Sequence, residues 1–333
     1  MEGFKIYNKK SVSGIISTRK GESKFGEKVG FANNLEELSQ RKEKYVLFGI
    51  PEDIGVRANL GKAGTAKAWN TCLKSLLNIQ TNQYTYPQNV ILLGEVDCSQ
   101  FMSKASNIGE EDPNYLIKLG ELVSQIDEIV AKVVEEIISV GKIPIIIGGG
   151  HNNAYGNIKG ASIAVNSPVN VLNIDAHTDL RTPDHRHSGN GFSIARRDKY
   201  LNKYRMFGIH QNYTPDYIFK QIDSSTQDEY QLYEHLMLKS SSEINKIFQQ
   251  ELDLVAQGKF GLELDCDAIR NFPSSAKSPG GFSFTSVRRF VSLASKEENI
   301  LYLHLCEAAP TTSTENKVGK ALSYLITDFL NHP

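Results

Sequence analysis

Apolar residues along this chain fall into two rhythms. Runs of strand length stand at Tyr45 to Ile50 (YVLFGI), Asn89 to Leu93 (NVILL), Ile143 to Ile147, Val169 to Ile174, Arg205 to Ile209, Phe260 to Leu264 and Ile300 to Leu305. They lack the alternation of a sheet with one wet face, so they predict strands buried on both sides. Elsewhere Leu119, Leu122, Val123, Ile126, Ile129, Val130, Val133, Val134, Ile137 and Ile138 recur at helical spacing until Gly141 stops them. That period predicts a long helix opening near Asp112 to Asn114, with one apolar face laid on a sheet. Ser242 to Ala256 and Ala321 to Leu330 read as further helices, and another is expected from about Ala66, after the Gly-punctuated loop PEDIGVRANLGKAGT. Short buried strands separated by helices predict an α/β fold with a largely parallel sheet and helices on both faces.

Met1 to Lys44 is different: polar, charged and rich in Gly, Ser and Lys, with only short apolar pieces. The expectation is an N-terminal arm, residues 1–44, packed on the surface of a single domain spanning residues 45–333. The chain carries no internal repeat, low-complexity run or Pro- or Ser-rich linker that would divide it further.

Composition narrows the classes of function. Lys plus Arg (37) nearly cancels Asp plus Glu (38) in 333 residues, so no whole-molecule field draws in nucleic acid or an anionic membrane, and a small polar substrate is the simpler partner. Cys72, Cys98, Cys266 and Cys306 lie far apart with no CxxC pair, which argues against a disulfide framework and a thiolate zinc site and for a reducing, cytoplasmic location. No signal-type segment opens the chain, and no apolar run approaches the roughly 20 residues of a membrane span.

The chemistry stands at three strand ends. IPIIIGGGHNN delivers His151 after a tight glycine turn; NIDAHTD places Asp175, His177 and Asp179 two residues apart; FGLELDCD does the same for Asp265 and Asp267, with Cys266 turned into packing. Clustered charges at the end of a buried strand repel one another and lose hydration unless a cation joins them. Parallel strands all finish on one edge, so the three endings can converge. Four carboxylates and two imidazoles without thiolate suit two divalent ions of the manganese type better than structural zinc. Two such ions roughly 3.5–4 Å apart would activate a shared water for attack on an electrophilic carbon.

These motifs resemble a known family. GGGHN, NIDAHTD and LELDCDAI, in that order, are similar to the three metal motifs of the ureohydrolase superfamily of arginases, agmatinases, guanidino-acid hydrolases and formimidoylglutamases, a resemblance covering about Tyr45 to Pro310. It implies a three-layer α/β/α sandwich around a mostly parallel eight-stranded sheet, two Mn2+ per chain, and a homo-oligomer, trimer or hexamer. It implies His151 and Asp179 on one ion, His177 completing the second site, Asp175 and Asp267 between the two, and Asp265 shared. Glu307, in CEAAP, resembles the family's glutamate three residues before a proline, which holds the cationic end of the substrate. Asp267 is the expected proton relay, and His210, at another strand end, a further catalytic candidate.

The substrate turns on the loop after the second motif. DAHTD, TP and SGN look like arginase, whose corresponding loop binds an α-carboxylate; yet arginases carry a proton-shuttling histidine where this chain has Phe192. His185 and His187 flank the loop as candidate substitutes, with surface placement the plainer expectation for each. The GGGH turn, the DLR of Asp179 to Arg181, the SGxxF loop from Ser188 to Phe192, the segment Ser274 to Gly280 and the early loop with Arg57, Asn59 and Gly61 resemble formimidoylglutamases. The resemblance thus implies hydrolysis of N-formimidoyl-L-glutamate to L-glutamate and formamide, a step of histidine degradation. Arg181 would clamp a carboxylate in a bidentate pair, with Ser188, Asn190 and Arg57 as further substrate contacts. The alternatives are release of urea from arginine, agmatine or another guanidino compound, and a silent metal-binding scaffold.

Overall fold

The computed structural model describes residues 2–330. Its centre is a nine-stranded sheet: β1 (Phe4–Ile6), β2 (Tyr45–Gly49), β3 (Val90–Val96), β4 (Ile143–Ile147), β5 (Val169–Ile174), β6 (Leu201–Ile209), β7 (Asp228–Leu232), β8 (Phe260–Asp265) and β9 (Ile300–Cys306). Across the sheet the order is β1-β3-β2-β4-β9-β8-β5-β6-β7. Every pairing is parallel except β1 on β3.

Successive residues of the central strands enter opposite layers, as a pleat with period two requires, except at the start of β9, where Leu301 and Tyr302 share one core beside a register shift. Tyr45, Leu47, Leu262 and Leu303 pack with Trp69, Phe248, Phe290 and Leu322 in one core. Val46, Phe48, Val171 and Tyr302 pack with Val123, Ile126, Val130 and Ile158 in the other. The first core is roofed by the helices Ala68–Leu76, Ser241–Val255, Phe284–Ala294 and Glu315–Leu330, the second by Tyr115–Ser139, Ala154–Ala164 and Gly191–Arg197. No helix among the described residues is long and apolar enough to cross a membrane.

Two strands exceed the seven read from apolar runs, and they bring the sheet to nine rather than eight. β7 is DEYQL, mostly half-exposed at one edge, so it has no need of an apolar run. β1 is three residues long and lies inside the segment 1–44, where its backbone closes the other edge. That segment is also more than a surface arm: Val12, Phe25 and Leu38 are fully buried in the two cores.

Candidate metal centre and substrate cleft

Four neighbouring strands, β4, β9, β8 and β5, end side by side on one edge. The residues just past them are His151, Glu307, Asp265 with Asp267, and Asp175 to Asp179. Glycine lets the first ending turn: Gly149 has φ +74°, and a Cβ there would run into the Asn153 amide and, at 2.7 Å, the Glu52 carboxylate. Asp179 and Glu307 also hold left-handed backbone, φ +50° and +58°. Non-glycine residues keep such angles only where their surroundings impose them, and such positions concentrate at functional sites.

The side chains form two adjoining groups. His151 Nδ1 lies 3.1 Å from Asp175 Oδ2, 2.9 Å from Asp179 Oδ2 and 3.2 Å from Asp265 Oδ2. It is buried and completes no hydrogen bond with any of them. One donor atom from each of these residues lies within 4.8 Å of the others, a donor set of one imidazole and three carboxylates that fits a divalent cation at its centre. His177 Nδ1 lies 3.5 Å from the other oxygen of Asp175 and 3.8 Å from Asp267 Oδ2. Asp175 thus shows one oxygen to each imidazole. Asp267 falls beside His177 rather than between the groups, while Asp265 accepts the Asp267 backbone N–H at 2.6 Å.

Electrostatics point the same way. Burial, with repulsion from Asp175, pushes Asp179 and Asp265 above the usual carboxylate range, and burial raises Asp267 too. Burial opposes the charge on His177, yet Asp175 and Asp267 prevail and lift it to about 10. Burial works to raise Asp175 as well, but the imidazoles on either side hold it below its ordinary value. Without a cation the cluster must hold protons that a cation would displace.

Beside the cluster a cleft is lined by Val56, Asn59, Arg181, Ser188, Tyr213 and Glu307, among others. Glu307 accepts the His151 backbone N–H on Oε1 at 2.6 Å, and its buried Oε2 has no partner. Burial and the neighbouring Asp267 raise its carboxyl to about 8. At the mouth, Arg181 Nη1 approaches Asn59 Oδ1 at 3.4 Å, and Asn59 donates to Ser188 Oγ at 3.1 Å. The exposed guanidinium keeps donors free for a ligand.

Three of the sequence-based candidates lie elsewhere. Arg57 points away and donates to the Ala105 carbonyl at 2.8 Å and the Tyr115 hydroxyl at 3.3 Å, since a loop arginine caps free carbonyls as readily as it meets substrate. Asn190 is fully buried and spends its amide on the loop itself: it donates to His185 O at 2.7 Å and accepts from Arg186 Nη1 at 2.9 Å. His210 is outside the cleft, stacked between Tyr213 and Tyr233 with centroids at 5.3 and 4.8 Å. Phe192 is buried edge-on against His151, 5.1 Å between centroids, and stacked on Tyr204; it walls the imidazole–carboxylate cluster and does not line the cleft. His185 binds the Ala58 carbonyl at 2.9 Å, tying this loop to the early one, and His187 accepts the Gly189 N–H at 3.0 Å within its own loop.

Several supporting residues escaped the sequence reading. Glu52, fully buried, accepts from Gly150 N, Asn152 Nδ2 and Asn153 Nδ2 with one oxygen and from Ile54 N and Gly55 N with the other, which fixes the turn that presents His151. Arg186 forms a bidentate pair with Asp127, at 2.7 and 3.0 Å, pinning the loop after Asp179 to the helix Tyr115–Ser139. Asn173 donates to Asp175 Oδ2 at 3.1 Å. Their one sequence signal is a polar residue on a face that should be apolar: Asp127 beside Ile126, Asn173 two before Asp175.

The arginase family profile matches residues 43–330. A formimidoylglutamase of Lysinibacillus sphaericus (strain C3-41) is 24% identical over 300 residues, covering 87% of this chain and 85% of that protein. A crystal structure of Trypanosoma cruzi formiminoglutamase with Mn2+2 superposes with a TM-score of 0.75 at 16% identity, over 93% of this chain and 97% of the other. Formimidoylglutamase from Bacillus subtilis superposes equally well, TM-score 0.75 at 14% identity, over 95% and 93% of the two chains.

Proposed function

The chain belongs to the arginase family, and on that premise we propose that it is a metal-dependent hydrolase that cleaves N-formimidoyl-L-glutamate with water to L-glutamate and formamide. Six residues would hold two Mn2+ ions. His151, Asp175, Asp179 and Asp265 would serve one; Asp175, with His177 and Asp267, would serve the other. When bound, two such ions supply Lewis acidity that makes water a nucleophile at neutral pH.

The protein's own groups then bind and orient the substrate. Glu307 Oε2 receives the amidinium N–H groups, a charge-assisted contact in a site from which water is largely excluded. Arg181, steadied by Asn59, pairs with a substrate carboxylate at the cleft mouth, and Ser188 Oγ adds a hydrogen bond. Asp267, its Oδ1 accepting the Ala276 N–H at 3.1 Å, takes the proton from the attacking water and returns it to the departing amine nitrogen. The four free, buried cysteines agree with a reducing, cytoplasmic setting.

The observation that carries this reading is the buried, unpartnered Oε2 of Glu307 beside the metal cluster, with a free guanidinium at the other end of the same cleft. An acceptor at the reacting end and a cation at the mouth fit an amidine that also bears carboxylates. Turnover of Mn2+-loaded protein with N-formimidoyl-L-glutamate, arginine and agmatine, read as formamide or urea, tests it. Formamide from the first compound alone is expected; faster urea release from either of the others would overturn the substrate.

A further inference from the structure

Behind the imidazole of His151, away from the carboxylate cluster, lies an acid–base pair that the proposed reaction leaves unused. Glu263 on β8 and His304 on β9 face each other in direct register, both fully buried. Glu263 Oε2 is 2.5 Å from His304 Nδ1 and 3.5 Å from His151 Nε2. Their neighbours Leu262, Leu264, Leu303 and Leu305 are core residues, and buried charges cost several kcal/mol each in desolvation unless closely paired. For packing alone, two more apolar side chains would serve as well.

Hydrogen-bond geometry orients the pair. His304 Nδ1 faces the Glu263 carboxylate, and its Nε2 faces the Gly148 carbonyl at 3.3 Å. Both partners can accept, so each ring nitrogen of His304 lies where an N–H would meet one of them. That carboxylate also lies 3.5 Å from His151 Nε2, a buried nitrogen that completes no hydrogen bond elsewhere. A neutral imidazole has one N–H; directed at Glu263 from Nε2, it leaves the lone pair on Nδ1, the nitrogen that faces Asp175, Asp179 and Asp265. Phe192, edge-on at 87°, limits the swing of the ring. The same Glu263 and Cys306 approach His151 closely enough to suggest a separate cation site, but Glu263 Oε2 is already engaged by His304 Nδ1 there.

We infer that Glu263 and His304 are positioning residues for the ion held by His151: Glu263 selects the Nδ1 lone-pair tautomer and aims the ring, and His304 holds Glu263 in place. A carboxylate hydrogen-bonded to the far nitrogen of a metal-bound histidine orients it and raises its basicity, and losing that partner weakens metal binding about 10–100-fold. The inference rests on His151 being a metal ligand.

Calorimetric titration of metal-free protein with Mn2+, without substrate, tests both. His151→Ala should lose one ion. Glu263→Gln, similar in volume, should weaken the same ion about 10–100-fold, spare the other, and alter the visible spectrum of that site when Co2+ replaces Mn2+. Glu263→Leu with His304→Leu removes the pair without stranding a charge and should show the same selective loss if the single variant folds poorly. If His151→Ala loses an ion while both pair variants keep wild-type affinities, the positioning role is overturned and the metal reading stands. Equal weakening of both ions, in step with a lower melting temperature of the metal-free variants, would also overturn it. If His151→Ala keeps both ions, the metal reading falls and the inference with it.

Discussion

Glu307 binds the backbone N–H of His151 with one oxygen at 2.6 Å and leaves the other buried and unpartnered in the cleft. The strand end that carries His151 and the strand end that carries Glu307 are thereby fastened to each other. Glu307→Gln keeps the shape and removes the charge, so it should lower kcat/KM about 10–100-fold, the scale of one charge-assisted hydrogen bond. Mn2+ content should stay at the wild-type level. Steady-state kinetics with metal analysis check both halves.

Asp175 shows one oxygen to His151 and one to His177. Asp175→Ala should abolish binding of both ions and lower turnover by a hundredfold or more, about the loss seen when a major electrostatic stabiliser is removed. Circular dichroism should still report the α/β fold, because the strand cores do not depend on this side chain. Elemental analysis after dialysis measures the metal.

Metal-free protein should lose stability as pH rises from about 5 to about 9. Glu307 is raised from 4.5 to about 8 by burial and Asp267, and His177 from 6.5 to about 10, where Asp175 and Asp267 outweigh burial. A group whose folded pKa is raised contributes stability below its unfolded pKa, and that contribution disappears as pH climbs through the folded value. Asp179, Asp265 and Asp267 shift in the same direction. Mn2+ should reverse the trend, because metal binding displaces these protons and tightens as pH rises. Melting temperatures across this window, with and without Mn2+, give the slope in each state; a flat metal-free profile would contradict the assigned shifts.

Arg181→Ala should raise KM for N-formimidoyl-L-glutamate about tenfold, with little change in kcat, since its contact is made before the chemical step as well as during it. Arg57→Ala should leave KM near wild type, its guanidinium being committed to Ala105 and Tyr115. Parallel kinetics on the two variants separate the arginine at the cleft from the one that only caps a carbonyl.

The sequence by itself determined the α/β class, the central strands and the ligand types. Buried parallel strands must be apolar throughout, and a carboxylate or imidazole placed just past such a run has no other place to go than the sheet edge. For the same reason DAHTD and LELDCD stood out at once, while DEYQL, half in water at an edge, did not. Only the tertiary structure decided which strands are neighbours, and therefore that Asp175 faces both imidazoles while Asp267 sits with His177. It also decided the fate of Arg57, Asn190 and His210, which depends on whichever carbonyl, ring or cleft lies within a few ångströms in space. Glu263 and His304, 41 residues apart, meet because β8 and β9 pair in register, and neither residue carries a local signal of the other. Periodicity is a property of one segment; register, and the hydrogen bonds that follow from it, belong to two.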